Sequence, residues 1–290
     1  KIYSIPFQRS TMVLYYNKDA FKEVGLDPEA PPTTWEELAE YGQKLTNDGR
    51  YGVGIALNSG SAQWAFTGFC LQNSTDGQNL MSEDGKSVYF NTPENVEALP
   101  FWLDLQNEYK CMAEGIVQWT DLPTQFLAGE VAMIYHTTGN MANIHDNADF
   151  DFGTAFLPAH KRVGAPTGGG NFYISSNISE DRVQAAWKFI KFATSTDRAA
   201  QWSLDTGYVA TRQSCFDTDL IKDYYAEVPQ ASVAYEQLPY AKPELTTYNA
   251  AEIWRVLNDN IQAAVVGDMS AQEALDAAQE QAEEVLSEYQ

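Results

Sequence analysis

Apolar and polar positions along the chain follow two periods, one typical of strands and the other of helices. Short runs rich in β-branched and aromatic residues predict strands, and these runs are TMVLYYN, YGVGIAL, EVAMIYH, FGTAFLP and GNFYISS. Between them, apolar residues recur every three or four positions, which predicts helices that lie on a core. This alternation of strands and helices indicates an α/β protein.

Two predicted helices have well-marked features. Thr34 and Glu37 form a capping box, so WEELAEYGQKL is predicted to be a helix with Trp35 in its first turn. A second helix is predicted to follow Thr92. It is expected to kink or break near Pro100, because proline has no backbone N–H to donate.

A third helix, capped by Ser179, carries an apolar stripe at helical spacing. Such a stripe predicts a helix that packs on a core. Its members are Val183, Ala186, Trp187, Ile190 and Ala193.

Three consecutive glycines, Gly168 to Gly170, stand just before a predicted strand. A phosphate-binding loop of the Walker type would continue with Lys and Ser or Thr, whereas Asn171 and Phe172 follow here. The glycines of a dinucleotide-binding motif follow a strand, and these precede one. Glycine also allows a ligand to approach the backbone closely. A flexible turn and a ligand contact therefore both remain open.

The run EVAMIYH ends in Thr-Thr-Gly, just before the helix-like NMANI. Free N–H groups and the positive end of the helix dipole favour an anion at such a position. A threonine hydroxyl that simply caps the helix is the commoner arrangement.

The composition narrows the class of ligand. The 290 residues are enough for one large domain or two of ordinary size, and the net charge is −22, from 40 acidic and 18 basic residues. Without a cluster of Lys and Arg, binding to nucleic acid or to an anionic membrane surface is disfavoured. The 7 Trp, 16 Tyr and 14 Phe suit a site that stacks on sugar rings, and equally a large core.

Cysteine and histidine give no sign of a metal site. Cys70, Cys111 and Cys215 lack zinc-site spacing, so one disulfide and three buried thiols both remain open. The three histidines show no HExxH motif or other ligand spacing. We expect neither a metal nor another cofactor.

Four segments together resemble the extracellular solute-binding proteins of ABC importers. They are PFQRSTMVLYYNKDAFKEVGLDPEAPPTTWEELAEYGQKL, FLAGEVAMIYHTTGNMANI, WKFIKFATSTDRAAQWSLDTGYVATR and VGDMSAQEALDAAQEQAEEVL. The resemblance covers nearly the whole chain. It implies a two-lobed α/β fold of the periplasmic-binding-protein type II, maltose-binding-protein-like class, which closes on a small ligand like a hinge. It assigns residues 1–10 and 158–207 to the N-terminal lobe, and 11–157 and 208–290 to the C-terminal lobe.

Within that family, the likeness is strongest to members that bind sn-glycerol-3-phosphate. Their site residues fall on Ser10, Trp35, Thr137, Gly169, Tyr208 and Arg255. The resemblance implies that hydroxyls, a backbone N–H and a guanidinium surround a phosphate, which prefers such charge-assisted bonds. Trp35 would pack on the glycerol carbons or close the lid over the ligand.

Each of these residues also has a plainer interpretation. Arg255 suits a solvated surface, Tyr208 a packed turn and Trp35 the core, while Thr137 suits a helix cap and Ser10 a strand end. Trp64 is a candidate for a second wall of the site, although a place in the core is favoured.

The sequence also departs from the family pattern. The family's first lobe begins with a segment of about 100 residues, roughly one small domain. That segment has no counterpart here, so most of the first lobe is expected to be missing. The Tyr and Glu that would hold the glycerol hydroxyls belong to it.

The resemblance implies a binding protein that catalyses no reaction. Its ligand would be a phosphorylated polyol, either sn-glycerol-3-phosphate or a glycerophosphodiester, handed to a membrane permease. The expected location is periplasmic or extracellular, with a lipid anchor as one means of attachment.

Three alternatives remain open. The first is a neutral sugar or oligosaccharide as ligand, which suits the many aromatic residues. The second is a glycosidase with paired carboxylates, although no acidic residue stands in a recognisable catalytic motif. The third is a fragment that serves only for interaction.

Overall fold

One mixed six-stranded sheet forms the centre of the molecule, in a computed structural model that describes residues 2–58 and 60–290. The strand order is β2-β3-β1-β5-β6, and β4 pairs with β1 outside that order. The strands are β1 (Ile5–Asn17), β2 (Tyr51–Gly54), β3 (Val131–Thr137), β4 (Phe152–Ala155), β5 (Ala165–Phe172) and β6 (Ala241–Pro243).

Helices cover the sheet and form most of the second half of the chain. They are α1 (Lys18–Glu23), α2 (Trp35–Leu45), α3 (Ala62–Asn73), α4 (Pro93–Asn107), α5 (Leu122–Leu127), α6 (Met141–Asn147), α7 (Glu180–Ala193), α8 (Thr196–Thr206), α9 (Asp219–Glu227), α10 (Ser232–Gln237), α11 (Ala250–Val265) and α12 (Ala271–Leu286). Among the described residues, no helix combines the length and the apolar character needed to cross a bilayer.

Strand β1 joins the two halves of the sheet. Its first half, from Ile5 to Thr11, pairs with β5, and its second half pairs with β3 and β4. In the first half, Ser10 lies opposite Gly168 and Arg9 lies opposite Gly169. The three glycines therefore lie inside β5, and the expectation that they precede a strand was wrong.

The main core is rich in aromatic rings. Phe69 stacks on Trp102 and on Tyr135, with ring centroids 5.4 and 5.9 Å apart. The three cysteines are all buried and none forms a disulfide. Burial raises the pKa of Cys111 to about 12, so its thiol stays protonated at neutral pH.

Helix α4 continues through Pro100, where a kink or break was expected. Pro100 is exposed, whereas Leu99, Trp102 and Leu103 are buried. The ring therefore lies on the outer face, and packing of the inner face stabilises the helix despite the missing donor.

The stripe of α7 does not lie on a core, contrary to expectation. Of its residues only Ile190 is buried, and Trp187 remains 39% exposed. Phe189 and Phe192 are each 57% exposed, and Trp202 of α8 is 37% exposed. Phe189, Phe192 and Trp202 form the α7–α8 aromatic face, since Phe172 and Phe7 connect the ring of Phe189 with that of Trp202. The predicted stripe lies on another side of α7 and is only partly covered, because Val183, Ala186 and Ala193 are half-buried.

Candidate ligand-binding site

A cleft of about 490 Å³ opens where β5 meets the chain around residue 244. Its walls include Arg9, Gly168, Gly169, Asn171 and Glu244. The Arg9 guanidinium donates to the carbonyl of Gly168 at 3.4 Å and to Asn171 Oδ1 at 2.8 Å. These bonds hold the positively charged guanidinium of Arg9 at the wall of the cleft.

Three side chains converge on the α-carbon of Gly168. A Cβ at that position would lie 3.2 Å from Ser10 Oγ, 3.4 Å from Glu244 Oε2 and 3.4 Å from Trp64 Cζ2. We call this arrangement the Gly168 corner. Glycine leaves its centre open, whereas a larger side chain would fill it.

Gly169 faces the neighbouring strand. A Cβ on Gly169 would meet the carbonyl oxygen of Gln8, and its φ of +125° strongly favours glycine. The backbone conformation alone thus accounts for a glycine here. Its predicted N–H bond to a phosphate stays a prediction.

The Gly168 corner contains polar groups without protein partners. The indole Nε1 of Trp64 is buried and unpaired. In residues 2–58 and 60–290, the Glu244 carboxylate has no hydrogen bond or ion pair. Burial raises the pKa of Glu244, and the nearby Arg9 charge opposes that rise. Unpaired polar groups that are withdrawn from water are costly, unless a ligand binds them.

An aromatic wall continues from Trp64. Its ring lies 5.6 Å from that of Trp119, which stacks on His136 at 3.7 Å. The Nε2 of His136 lies 3.2 Å from the carbonyl of Trp119, and its Nδ1 lies 2.6 Å from Asn140 Nδ2. A carbonyl only accepts, so Nε2 carries the proton and Nδ1 accepts from the amide.

Thr137 and Tyr208 meet at Gly139. The hydroxyl of Thr137 accepts from the Gly139 N–H at 3.2 Å, so it caps a turn at Thr138–Asn140. The Tyr208 ring lies against Gly139, where a Cβ would be 2.7 Å from Tyr208 Cζ. The capping role weighed for Thr137 is thus present, and its O–H is still able to donate.

The sheet brings four of the predicted site residues into one region. Val209 pairs with Arg9 through backbone bonds of 2.8 and 3.3 Å, which places Tyr208 beside the strand that carries Ser10. Two positions further along β1, Met12 lies opposite Thr137. Ser10, Thr137, Gly169 and Tyr208 therefore lie around the middle of β1.

Trp35 does not join them, and its expected packing on the ligand was wrong. It is 3% exposed and lies between Phe101 and His160, each with a ring centroid 4.6 Å away. Its Nε1 donates to Gln72 Oε1 at 2.7 Å. Gln72 is eight residues beyond Trp64 on α3, about 12 Å along the axis. Trp64, for which a core position was favoured, is the α3 tryptophan at the cleft.

Arg255 is exposed on α11 and already paired. Its guanidinium contacts Glu252 at 2.7 Å and Asp259 at 2.8 Å. These carboxylates raise the pKa of Arg255 further above its usual range. It lies one turn before Asn258, whose side-chain oxygen accepts from the backbone N–H of Gln63, next to Trp64. Arg255 thus lies on the part of α11 that approaches α3.

Sequence reasoning missed Arg9, Asn171, Trp119 and Glu244. Glu244 lies between β6 and α11 in a stretch without periodicity, so no local pattern marks it. Position in the sequence could have indicated two of the others, because Arg9 directly precedes Ser10 and Asn171 follows two positions after Gly169.

The comparisons with known proteins decide the family. The family model described as bacterial extracellular solute-binding protein matches residues 1–230. The chain belongs to this family. This solute-binding protein is 31% identical to the sn-glycerol-3-phosphate-binding periplasmic protein UgpB of Salmonella paratyphi A, over 99% of its own length and 68% of the relative's.

Two solved structures share its fold. UgpB from Mycobacterium tuberculosis, in complex with glycerophosphocholine, has a TM-score of 0.86 at 28% identity and matches 99% of this chain and 71% of its own. The cyclic alpha-maltosyl-1,6-maltose binding protein from Arthrobacter globiformis has a TM-score of 0.83 at 27% identity, with 98% and 72% matched. The predicted α/β, maltose-binding-protein-like fold is confirmed. This solute-binding protein is of the kind that serves ABC importers, a transport family and not an enzyme class.

Proposed function

We propose that this solute-binding protein captures a phosphorylated polyol by hinge closure and delivers it to the membrane permease of an ABC importer. The ligand is sn-glycerol-3-phosphate or a glycerophosphodiester. Its relatives support this choice, since one is named for sn-glycerol-3-phosphate and another was solved with glycerophosphocholine. The protein works outside the cytoplasmic membrane, in the periplasm or on a lipid tether.

The observation that carries the proposal is the gathering of donors around the middle of β1. Ser10, Thr137 and Tyr208 bring hydroxyl groups to this region, and Gly169 lies on the adjacent strand. Arg9 adds a positive charge at the cleft wall. Several convergent donors with a guanidinium suit a phosphoryl group.

On hinge closure, Arg255 exchanges its carboxylate partners for the phosphoryl group of the ligand and so completes this phosphate site. Exposed ion pairs such as those with Glu252 and Asp259 contribute little to stability, because water and salt screen them. An anionic phosphoryl group that is shielded from water by hinge closure offers a stronger, charge-assisted partner. The exchange is therefore favourable on closure.

Calorimetric titration with sn-glycerol-3-phosphate, glycerophosphocholine and maltose tests the proposal. We expect Arg255→Ala to weaken binding of the phosphate ligands by about tenfold or more, which corresponds to loss of one charged hydrogen bond. The matched control is Arg182→Ala, which removes the same charge from the exposed side of α7. Equal binding by wild type and Arg255→Ala would refute the phosphate site.

A neutral sugar is the second candidate. The neighbouring rings of Trp64 and Trp119 suit stacking on a sugar, and the unpaired Glu244 suits its hydroxyls. Binding of maltose without binding of either phosphate ligand would favour this candidate. Arg255→Ala would then leave the affinity unchanged.

A further inference from the structure

We propose that Glu244 determines ligand specificity by accepting hydrogen bonds from ligand hydroxyls in the Gly168 corner. This inference rests on the proposed function, because it assumes that the ligand enters this cleft. It adds a residue that sequence motifs did not indicate. It also assigns the polyol end of the ligand to the side of the Gly168 corner that Glu244 faces, and leaves the phosphoryl end to the donors that continue from Ser10 and Gly169 to Thr137 and Tyr208.

The first step of the argument is geometric. Ser10 Oγ, Glu244 Oε2 and Trp64 Cζ2 all lie 3.2–3.4 Å from one point above Gly168. In the indole ring, Cζ2 is two bonds from Nε1, so the N–H edge of Trp64 is the edge near this point. The Ser10 hydroxyl, the Glu244 carboxylate and the N–H edge of Trp64 thus approach the same side of Gly168, which has no side chain of its own.

The second step concerns hydrogen-bond partners. Trp64 Nε1 is buried without an acceptor, and the carboxylate of Glu244 has no donor within the described ranges 2–58 and 60–290. A ligand hydroxyl in the cleft supplies the donor that the Glu244 carboxylate lacks. A phosphoryl oxygen has no proton to give to Glu244.

The third step concerns charge. A phosphoryl group in the Gly168 corner would lie beside the Glu244 carboxylate, and like charges at such a distance repel strongly in a partly buried site. Arg9 offsets this only in part, since its guanidinium already donates to Gly168 and Asn171. The Gly168 corner therefore favours the neutral, hydroxyl-bearing end of a ligand.

The experiment is calorimetric titration of wild type, Glu244→Gln and Glu244→Ala with sn-glycerol-3-phosphate, ribitol, maltose and ethyl phosphate. Ethyl phosphate keeps the phosphoryl group and lacks the hydroxyls. We expect Glu244→Gln to weaken every hydroxyl-bearing ligand that wild type binds by about tenfold, and Glu244→Ala to weaken it further. Binding of ethyl phosphate should stay unchanged or become tighter.

A second pair of variants tests whether the absence of a side chain at Gly168 is needed for ligand binding. Gly168→Ala places a methyl group at the centre of the Gly168 corner, and should weaken the same ligands to a similar extent. Gly170→Ala is the matched control on the same strand, because its Cβ would meet only the flexible side chain of Gln8, at 3.7 Å or more. Thermal unfolding of each variant shows whether it is folded.

The outcomes separate the two proposals. If wild type binds sn-glycerol-3-phosphate and folded Glu244→Gln and Glu244→Ala bind it equally well, the inference on Glu244 is overturned and the proposed function stands. If wild type binds no ligand of the panel, both are overturned. Equal weakening of ethyl phosphate by Glu244→Gln would also overturn the inference, because the effect would not depend on hydroxyls.

Discussion

At the scale of single residues, His136 shows how burial fixes a protonation state. It is 2% exposed beneath Trp119, and burial lowers its pKa to about 4. The bond to the carbonyl of Trp119 opposes that change without reversing it. His136 is therefore a neutral structural residue at the end of the aromatic wall.

This lowered pKa predicts a loss of stability in mild acid. Unfolded histidine has a pKa of about 6.5, so between pH 6.5 and 4 the unfolded state binds a proton that the folded state does not. The contribution of His136 to the free energy of unfolding is thus fully present above pH 6.5 and is lost as the pH drops towards 4.

Between pH 7 and pH 5, this effect of His136 lowers the free energy of unfolding by about 2 kcal/mol. Urea unfolding at both pH values should show this loss in wild type and a smaller loss in His136→Gln. The exposed His145 provides the control, since His145→Gln should retain the wild-type loss. An unchanged loss in His136→Gln would contradict the assignment.

At the scale of elements, the predicted cap of α2 by Thr34 is confirmed, whereas the Ser179 side chain makes no capping bond to α7. Helix α2 begins and ends as predicted, and Thr34 caps it by accepting from the N–H of Glu37 at 3.2 Å. Capping depends on residues within one turn, so a sequence pattern contains all the information needed. The Glu37 carboxylate instead binds Thr33, a shift of one residue from the expected box.

The C-terminal helix allows a test of capping strength. In α12, Ser270 accepts from the N–H of Glu273, and Glu273 accepts in return from the N–H of Ser270. Ser270→Ala should lower the free energy of unfolding by about 1 kcal/mol. Ser179→Ala is the control, because Ser179 precedes α7 without a side-chain capping bond and should cost less than about 0.5 kcal/mol. Equal losses in a urea titration would contradict this account.

Features that depend on distant partners could not be predicted in the same way. The glycine run belongs to β5 because Arg9 and Ser10 of β1 lie opposite it, about 160 residues away in the chain. Trp35 and Trp64 are both aromatic residues near a helix start, and only packing separates the core residue from the cleft residue. Local patterns contain neither kind of information.

At the scale of the whole molecule, the α7–α8 aromatic face is an exposed apolar patch. Exposed apolar patches of this kind mark interaction sites or promote association. The sequence predicted the apolar stripe correctly and its burial wrongly, since a periodic pattern shows that a face is apolar and not what covers it. The lobe boundaries at residues 10, 157 and 207 stay a prediction.

Removing two of these rings should reduce association. The double variant Phe189→Ser, Phe192→Ser should lower Nile red fluorescence and light scattering, with a change in unfolding free energy of less than about 1 kcal/mol for such exposed positions. Tyr51→Ser is the control, because Tyr51 is an exposed aromatic residue away from this face. Fluorescence that falls equally in the control would argue against the face as the dye site.

The central place of β1 has a consequence for the order of folding. Thr11 bonds to a residue 155 positions further along the chain, and Tyr15 to one 122 positions further. During synthesis, this aromatic strand must therefore wait until its partner strands β3, β4 and β5 have emerged. An unpaired strand of this composition is prone to aggregation, so a chaperone that holds the unfolded chain would protect this strand in particular.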